Sequence, residues 1–499
     1  MLRSRALVGA AAVGFVLAGC GSTVQQSGTP AGSDQFSVPG AGGAVSGTPT
    51  TAGGLPGAPG SVTGPGSSGP GAVATGGPVT GSRGGTGPGA TVPPAGQAKT
   101  GPLPLGVLDA SSPAAAAAAT GANNPAGVDP VEITHAFIRY YNTHGGMAGR
   151  KIQPIEYTIN PTSSSYQSDL SAACAKFTQD NHVDVVVSQV GNFFSANYEN
   201  CLAKAGVTNL EVGNGAPDNQ DVSSYPQLFT TASPTVDRRI TAALRGLTQA
   251  GLLTRQSKLG VIVEDCPENT RAYSHTLTPL AHSLGVSVQR ADVDCVGGFS
   301  DAGSFFAQVS SAVLPFRSAG VDRVMFITSF EIAALQAFEN QAQAQAWKPT
   351  YALSSLAATA ANAGQYPADA QSRMAGVGWI PVVDVSAVRH SAATKRCDAV
   401  ARAQGINAKS QADYAFVYQI CDLFAVLDAS LVAARGHDEA SILPAGVATA
   451  MGSFESAYVL GERLRLDRRV HDAPPSFSVF RYQQTCSCFR YSTKPARLA

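Results

Sequence analysis

The sequence predicts an α/β fold built on parallel sheets, in a body long enough for two lobes. Three observations lead there. Val183–Val187 (VDVVV) is a short, β-branched apolar run, the pattern of a strand buried on both faces of a parallel sheet. An amphipathic helix over Ser195–Ala205 and a second short strand, Asn209–Val212, follow it, and the alternation of strand and helix continues along the chain. Both strand ends are small, polar or glycine-rich: Ser188-Gln189-Val190-Gly191-Asn192 and Gly213-Asn214-Gly215-Ala216. Such residues at neighbouring strand ends suit a crevice outside the carboxyl edge of a sheet, where backbone N–H groups and helix N-termini face a ligand. The same glycines would serve equally well in tight βα turns.

The chain has 499 residues, and the first hundred are not part of that body. Met1–Arg5 is a basic n-region and Ala6–Val16 an apolar h-region too short to span a bilayer comfortably. Leu17-Ala18-Gly19-Cys20 resembles a bacterial lipobox. The resemblance implies cleavage before Cys20, diacylglycerol on its sulfur and an acyl chain on the new amine, the two-signal anchoring that a stable membrane attachment needs. From Gly21 to about Gly101 the chain is Gly, Pro, Ser, Thr, Ala and Val, a composition that buries no core and is expected to be disordered. A tether of about 80 residues reaches roughly 50 Å.

The rest, roughly 400 residues, suits two lobes. Lys plus Arg equal Asp plus Glu at 34 each, and only 14% of residues are charged, so nothing marks a nucleic-acid surface. No later apolar run reads as long enough and free enough of polar residues to cross a membrane. Eight cysteines remain once Cys20 is set aside, an even number for an oxidising compartment. Their spacing suggests local pairs, Cys174–Cys201, Cys266–Cys295, Cys397–Cys421 and Cys486–Cys488, while leaving other connectivities open. The first three would each contribute about 3–4 kcal/mol in the chain-entropy model. The isolated CxC has no CxxC or close His pair beside it, which argues against zinc.

In order, Leu103–Leu108 reads as the first strand. A helix from Asp129 to Thr143 opens on Asp-Pro, a cap followed by a favoured first-turn residue. His144–Lys151 is a turn into the strand Ile152–Thr158, and the helix Ser165–Gln179 leads to the strand at Val183.

The turn Asn142…Gly145-Gly146-Met147-Ala148-Gly149-Arg150-Lys151, followed by DLSAACAKFTQDNHVDVVVS, resembles the amino-terminal lobe of type I periplasmic binding proteins. The branch it is most similar to is the leucine/isoleucine/valine-binding group of branched-chain amino-acid ABC importers. Phe229–Pro234 resembles that group's first crossing between lobes, and Gly376–Val383 would be the return crossing. The resemblance also implies later strands at Leu259–Glu264, Val286–Asp292, Ala319–Ile327, Pro349–Leu353 and Ser476–Tyr482, with helices at Asp301–Val313 and around Tyr414–Gln419. The resemblance covers about Leu103 to Tyr482. It implies two Rossmann-like lobes joined by a hinge, with a ligand cleft between them. The domains are then expected at 1–19 (signal peptide), 20–101 (tether), 102–231 (lobe 1), 232–378 (lobe 2), 379–475 (return to lobe 1) and 476–499 (closing strand on lobe 2 and tail).

Carried over residue by residue, the resemblance places lobe-1 ligand contacts at Ser188, Gln189, Gly191, Asn192, Asn214, Gly215 and Ala216. Ser188 and the N–H groups of Gly215 and Ala216 would face a carboxylate. Lobe-2 contacts would come from Asp265, Thr328, Ser329 and Phe330. The acidic residue that receives an α-ammonium in amino-acid binders would fall in Ser354-Ser355-Leu356, where there is none; Glu331 or Asp265 would have to substitute, although a buried carboxylate without a cation is costly. Phe193, Phe194, Tyr198 and Phe330 would line an apolar pocket, or are ordinary core aromatics. Cys266 and Cys295 would stiffen the lobe-2 rim beside the cleft. The implied role is a solute-binding lipoprotein that delivers an amino-acid-like, amide, aromatic or apolar solute to an ABC permease, without cofactor or metal. The alternative is the same clamshell used as a tethered sensor or protein-interaction module. No GxSxG, HExxH or P-loop is present and the eight histidines show no ligand spacing, so an enzyme is not expected.

Overall fold

Two parallel-stranded sheets carry the body. The computed structural model describes residues 101–111, 127–160, 162–189, 194–213, 215–357, 359, 363–380, 391–433, 454–460, 464, 466, 470–472 and 474–498. All of these lie in the contact unit Pro88–Ala499. The signal peptide, Cys20 and the tether therefore fall outside the described residues, as do Gly191, Asn192, Phe193 and Asn214.

The first sheet holds β1 (Leu103–Ala110), β2 (Ile152–Ile159), β3 (Val185–Ser188), β4 (Thr208–Glu211) and β5 (Leu228–Thr230), all parallel, in the order β2-β1-β3-β4-β5. Between them run α1 (Pro130–Thr143), α2 (Tyr166–Ala175, continued by a π turn to Asp180), α3 (Ala196–Lys204) and α4 (Asn219–Ser224). Local chemistry explains their ends. Asp129 caps α1 by accepting from Val131 N at 2.9 Å, and Ser195 caps α3 by accepting from Tyr198 N at 3.4 Å. The turn before β2 is closed by Asn142, whose amide donates to Ile152 O at 2.9 Å and accepts from Ile152 N at 2.7 Å. Gly146 in that turn has φ +82°, and a Cβ there would stand 2.1 Å from Arg150 O, so only glycine fits.

The chain then enters the second sheet through α5 (Val236–Gln249). Its strands are β6 (Lys258–Glu264), β7 (Ser287–Val293), β8 (Arg323–Ile327), β9 (Thr350–Ser354) and β10 (Met374–Gly378), which are parallel, and β11 (Ser476–Gln483), β12 (Cys488–Tyr491) and β13 (Ala496–Arg497), which are antiparallel additions. The order is β12-β11-β10-β9-β8-β6-β7, with β13 on β11. The helices of this part are α6 (Pro267–Ala272), α7 (Thr278–Leu284), α8 (Ala302–Ser311), α9 (Val313–Ser318), α10 (Glu331–Ala344) and α11 (Ala368–Ser372). Finally α12 (Ala392–Ala403) and α13 (Gln411–Ala433) return to α1, where Phe424 stacks between Phe137 and Tyr141 at 5.9 and 6.2 Å.

Two expectations need correction. Gly376–Val383 does not begin as a crossing: Met374–Gly378 is a fully buried strand between β9 and β11. Its glycines hide it from a propensity reading, yet a Cβ on Gly376 would stand 2.3 Å from Leu353 O, and one on Gly378 2.3 Å from Tyr491 Oη. The second concerns α13, which is long and apolar enough to pass for a membrane span, with a window of mean hydropathy 1.6. That window is 67% buried inside the protein, so its apolar surface is spent on the core.

The four cysteine pairs suggested by spacing are all present as disulfides, with Cα–Cα separations of 6.3, 4.7, 5.8 and 5.2 Å in chain order. Cys174–Cys201 ties α2 to α3, Cys266–Cys295 ties the loops after β6 and β7, and Cys397–Cys421 ties α12 to α13.

The passages between the sheets are laced together. Thr230 N donates to His471 O at 2.8 Å, and Thr235 N to Asp472 Oδ2 at 2.6 Å. Arg238 holds Asp472 in an ion pair and also reaches Pro474 O and Leu498 O, each at 3.1 Å. Trp379, just past β10, is completely buried. Its indole donates to Ala232 O at 3.0 Å and its backbone N to Ser355 Oγ at 3.0 Å, while its carbonyl accepts from Leu460 N at 3.0 Å. Trp379→Phe keeps most of the ring but leaves the Ala232 carbonyl unpaired. It is expected to cost about 1–3 kcal/mol, read as a lowered denaturant midpoint. A change below a few tenths would show that the indole N–H contributes nothing there.

Candidate functional site

Parallel sheets present their ligand-facing groups at the carboxyl ends of the strands. In the first sheet those ends are Asp109 on β1, Ser188 on β3 and Glu211 on β4, and Ser188 and Glu211 are direct register partners. In the second they are Glu264 on β6, the Thr328-Ser329-Phe330-Glu331 turn after β8, and Ser354 on β9. Residues beside the two edges touch. Gln167 at the start of α2 donates from Nε2 to Gly297 O at 3.1 Å, and Gly298 packs on the Tyr166 side chain. Arg271 on α6 donates to Asp218 at 2.5 Å and Asp221 at 2.7 Å, the two acids that form the capping box of α4. Asn219 N donates to Asp237 of α5 at 2.8 Å.

The residues expected from sequence fall as follows. Ser188 is buried at the end of β3. Gln189 donates its backbone N to Leu108 O at 3.0 Å, and both atoms of its side-chain amide are buried without a partner. Gly215 and Ala216 are buried, and Ala216 packs in the same cluster as Val236 and Ile240 of α5. Asp265 is exposed. Thr328 is buried with its hydroxyl unpartnered, while Ser329 donates its backbone N to Glu264 Oε2 at 2.6 Å. Phe330 is buried against Phe299, at 4.8 Å between ring centroids, and Phe305, at 6.4 Å. Tyr198 is buried in the first lobe's core, and Phe194 lies 6.3 Å from Tyr225. Ser329 is thus brought to the second sheet's edge beside Glu264, and Ser188 to the first sheet's edge beside Glu211.

Apart from Glu331 and Asp265, the charged groups at these edges were not read from the sequence. In lobe 2, Glu264 accepts from Ser329 N and from Val296 N, the latter at 2.9 Å, and burial still raises its pKa. Glu331 accepts from Ser354 N at 2.6 Å and from the Ser354 hydroxyl, and burial pushes it up to about 7 against those bonds. Glu268 in α6 is pushed to about 7 by burial. Arg239 on α5 is lowered to about 10 by burial, opposed first by the charge of Glu331 and then of Glu268 and Glu264. Its Nε is buried and unpartnered. Arg239, Glu331 and Ser354 line a small, half-open pocket between α5 and the ends of β8 and β9, walled by Ile240, Met325 and Ile327. In lobe 1, burial pushes Asp109 to about 7. The signal that could have found Glu264 was a carboxylate closing the apolar run Val261-Ile262-Val263.

Glu264, Cys266 and Cys295 lie within 4.8 Å of one another, but the two sulfurs form a disulfide and offer no thiolate to a metal.

No protein-family model and no curated protein matches the sequence. Solved structures do match in fold. An ABC transporter substrate-binding protein of Desulfitobacterium hafniense in complex with Leu is 14% identical, with a TM-score of 0.53, over 78% of this chain and 99% of that one. An R. palustris solute-binding protein in complex with 4-hydroxybenzoate is 14% identical, with a TM-score of 0.54, over 79% and 96%. A fatty acid ABC transporter substrate-binding protein of Thermomonospora curvata is 12% identical, with a TM-score of 0.55, over 81% and 94%. This chain has the two-lobed α/β fold of the type I periplasmic binding proteins.

Proposed function

We propose that the protein is an extracytoplasmic solute-binding lipoprotein of an ABC importer, anchored through Cys20 and holding a small solute between its lobes by hinge closure. The observation that carries this reading is the set of buried, unpartnered polar atoms at the facing strand ends: the Gln189 amide, a Glu211 oxygen and the Thr328 hydroxyl. Buried polar atoms without partners cost stability, so a site that keeps them is built for a group absent from the empty protein. The fold neighbours support the reading, since the solutes named for them are leucine, 4-hydroxybenzoate and fatty acid. An amino-acid-like, amide, aromatic or apolar solute is the corresponding expectation here, with lobe-1 contacts from Ser188, Gln189, Gly191, Asn192, Asn214, Gly215 and Ala216 and lobe-2 contacts from Thr328, Ser329 and neighbouring groups. A tether of the length expected from the sequence would let the body reach a permease from its lipid anchor.

The test is thermal denaturation of the full-length chain against a panel of amino acids, amides, aromatic acids, amines, sugars and fatty acids. A solute at a hundred times its dissociation constant adds about 2.7 kcal/mol of stability. A clear shift that Ser188→Ala and Gln189→Ala reduce supports the cleft as the site. If no class shifts the melting temperature, the solute-binding reading falls.

A further inference from the structure

We propose that the Cys486–Cys488 disulfide is a thiol–disulfide exchange site that accepts two electrons from a reduced dithiol. It does not depend on the solute-binding reading. β11 runs antiparallel to β10, with Ser478 opposite Gly378 and Arg481 opposite Ala375. The end of β11 at Gln483 and the turn that follows therefore lie at the amino edge of the parallel strands, opposite the edge that presents Glu264 and Ser354.

The bond has little structural work to do. The other three disulfides join cysteines 24 to 29 residues apart, whereas Cys486 and Cys488 are 2 apart and close almost no loop. The hairpin is held without it. Tyr482 pairs with Phe489 and Phe480 with Tyr491, and the Phe489 ring lies 5.4 Å from Tyr482 and 6.0 Å from Phe480. Tyr491 Oη donates to Ile380 O at 2.6 Å. Each of the other pairs has at least one buried cysteine: Cys174, Cys266, and both Cys397 and Cys421. Here Cys486 is exposed and Cys488 half-buried, in a turn, 484–487, that is exposed throughout. The turn is loosely bonded, with Cys486 N donating to Gln483 O at 3.4 Å and Ser487 N to Gln484 O at 3.3 Å. Ser487, between the two cysteines, has φ +48°, a left-handed conformation that is uncommon outside glycine. An exposed bond across a strained turn belongs to the class of disulfides that are readily reduced.

The surroundings favour thiolates. Between Ala473 and Leu498 there are four basic residues, Arg481, Arg490, Lys494 and Arg497, and no acidic one. Cys488 and Arg490 are two apart on β12 and face the same side, with Gln483 and Arg481 opposite them in register. In the exchange a donor thiolate attacks the exposed Sγ of Cys486, the S–S bond breaks, and Cys488 leaves as a thiolate on the face that carries the arginines. The donor's second thiolate then attacks the donor sulfur of the mixed disulfide and releases Cys486. Each cysteine takes a proton, so two electrons and two protons have passed from the donor, which is left as a disulfide.

The experiment exposes the full-length chain at neutral pH to graded amounts of dithiothreitol, a small dithiol, and of reduced, unfolded ribonuclease A, a protein dithiol. Reaction is stopped with acid, and free thiols are alkylated and placed by peptide mass spectrometry, which reads each cysteine separately. Cys486–Cys488 is expected to open at a dithiothreitol concentration at least a hundredfold below that needed by the other three pairs, with the melting temperature unchanged. Disulfide transfer to ribonuclease A as well identifies the donor as a protein dithiol, and opening by dithiothreitol alone identifies a small one. The double variant Cys486→Ser, Cys488→Ser should abolish transfer without lowering the melting temperature. Arg490→Gln should slow opening at least threefold and move the alkylation of Cys488 to higher pH. If the variants do not fold, the reduction series on the unaltered chain carries the test. A pair that opens only together with the others, a double variant that melts lower, or an Arg490→Gln rate and pH profile identical to those of the unaltered chain overturns the proposal.

Discussion

Arg271→Ala is expected to cost about 3 kcal/mol of unfolding free energy and to loosen the junction between α4 and α6. The guanidinium bonds Asp218 from Nε at 2.5 Å and Asp221 from Nη2 at 2.7 Å, and the two acid side chains are only 2% and 10% exposed. Removing it leaves two carboxyls side by side in a capping box with no cation facing them. Burial, then the charge of Asp218, raises Asp221, and Arg271 is what opposes them. The arginine side chain is 24% exposed, which places the cost at the lower end of the range for a buried pair. Arg271→Lys keeps the charge but loses the two-pronged geometry, so about half the loss is expected. Pairing Arg271→Ala with Asp221→Asn should recover part of it. Urea unfolding of the variants measures all three, and a loss under about 0.5 kcal/mol for Arg271→Ala would show that the bridge contributes nothing beyond a surface pair.

The second large effect is on the pH dependence of stability. Burial raises Asp109, Glu268 and Glu331 each to about 7, from unfolded values near 4. Between those limits the unfolded chain releases protons that the folded protein retains. The folded state therefore binds more protons, and stability falls as pH rises. The contribution of these groups is complete below about pH 4, is lost between about pH 4 and 7, and is flat above. At about 1.4 kcal/mol per unit for each group, a fall on the order of 3 kcal/mol or more is expected from pH 5 to pH 8. Asp413, held down by backbone N–H groups of Lys409, Ser410 and Gly127 against its burial, acts in the opposite sense, and its stabilisation is lost only in the acid range. The stability maximum should thus lie near pH 4–5. Denaturant unfolding at constant ionic strength across this range tests it, and Glu331→Gln should flatten the slope and raise stability at pH 8. Stability that rises from pH 5 to pH 8 would contradict the burial of these acids.

The sequence has no acid at Ser354-Ser355-Leu356, yet Glu331, at the start of α10 after the neighbouring strand β8, reaches that position and accepts from Ser354 N. A reading along the chain names Glu331 and Asp265 as substitutes without choosing between them, because 23 residues separate Glu331 from Ser354.

Much of the architecture was decided by local chemistry that a sequence displays. The run VDVVV, the Asp-Pro opening of α1, the Asn142 turn with its obligatory Gly146, and cysteines 24 to 29 residues apart in three pairs all act within one or two elements, so pattern and spacing expose them. The features that escaped are those set by distant partners. β10 is a strand because Leu353 and Tyr491 press on its glycines, and α13 is a core helix because α1 and α12 cover the face that by hydropathy alone would suit a membrane. The burial of Glu211, Glu264 and Glu331, and the orphaned oxygens between them, arise only when strand ends from separate segments meet. A charge at a strand end reads the same whether water or protein surrounds it, and tertiary packing alone decides which.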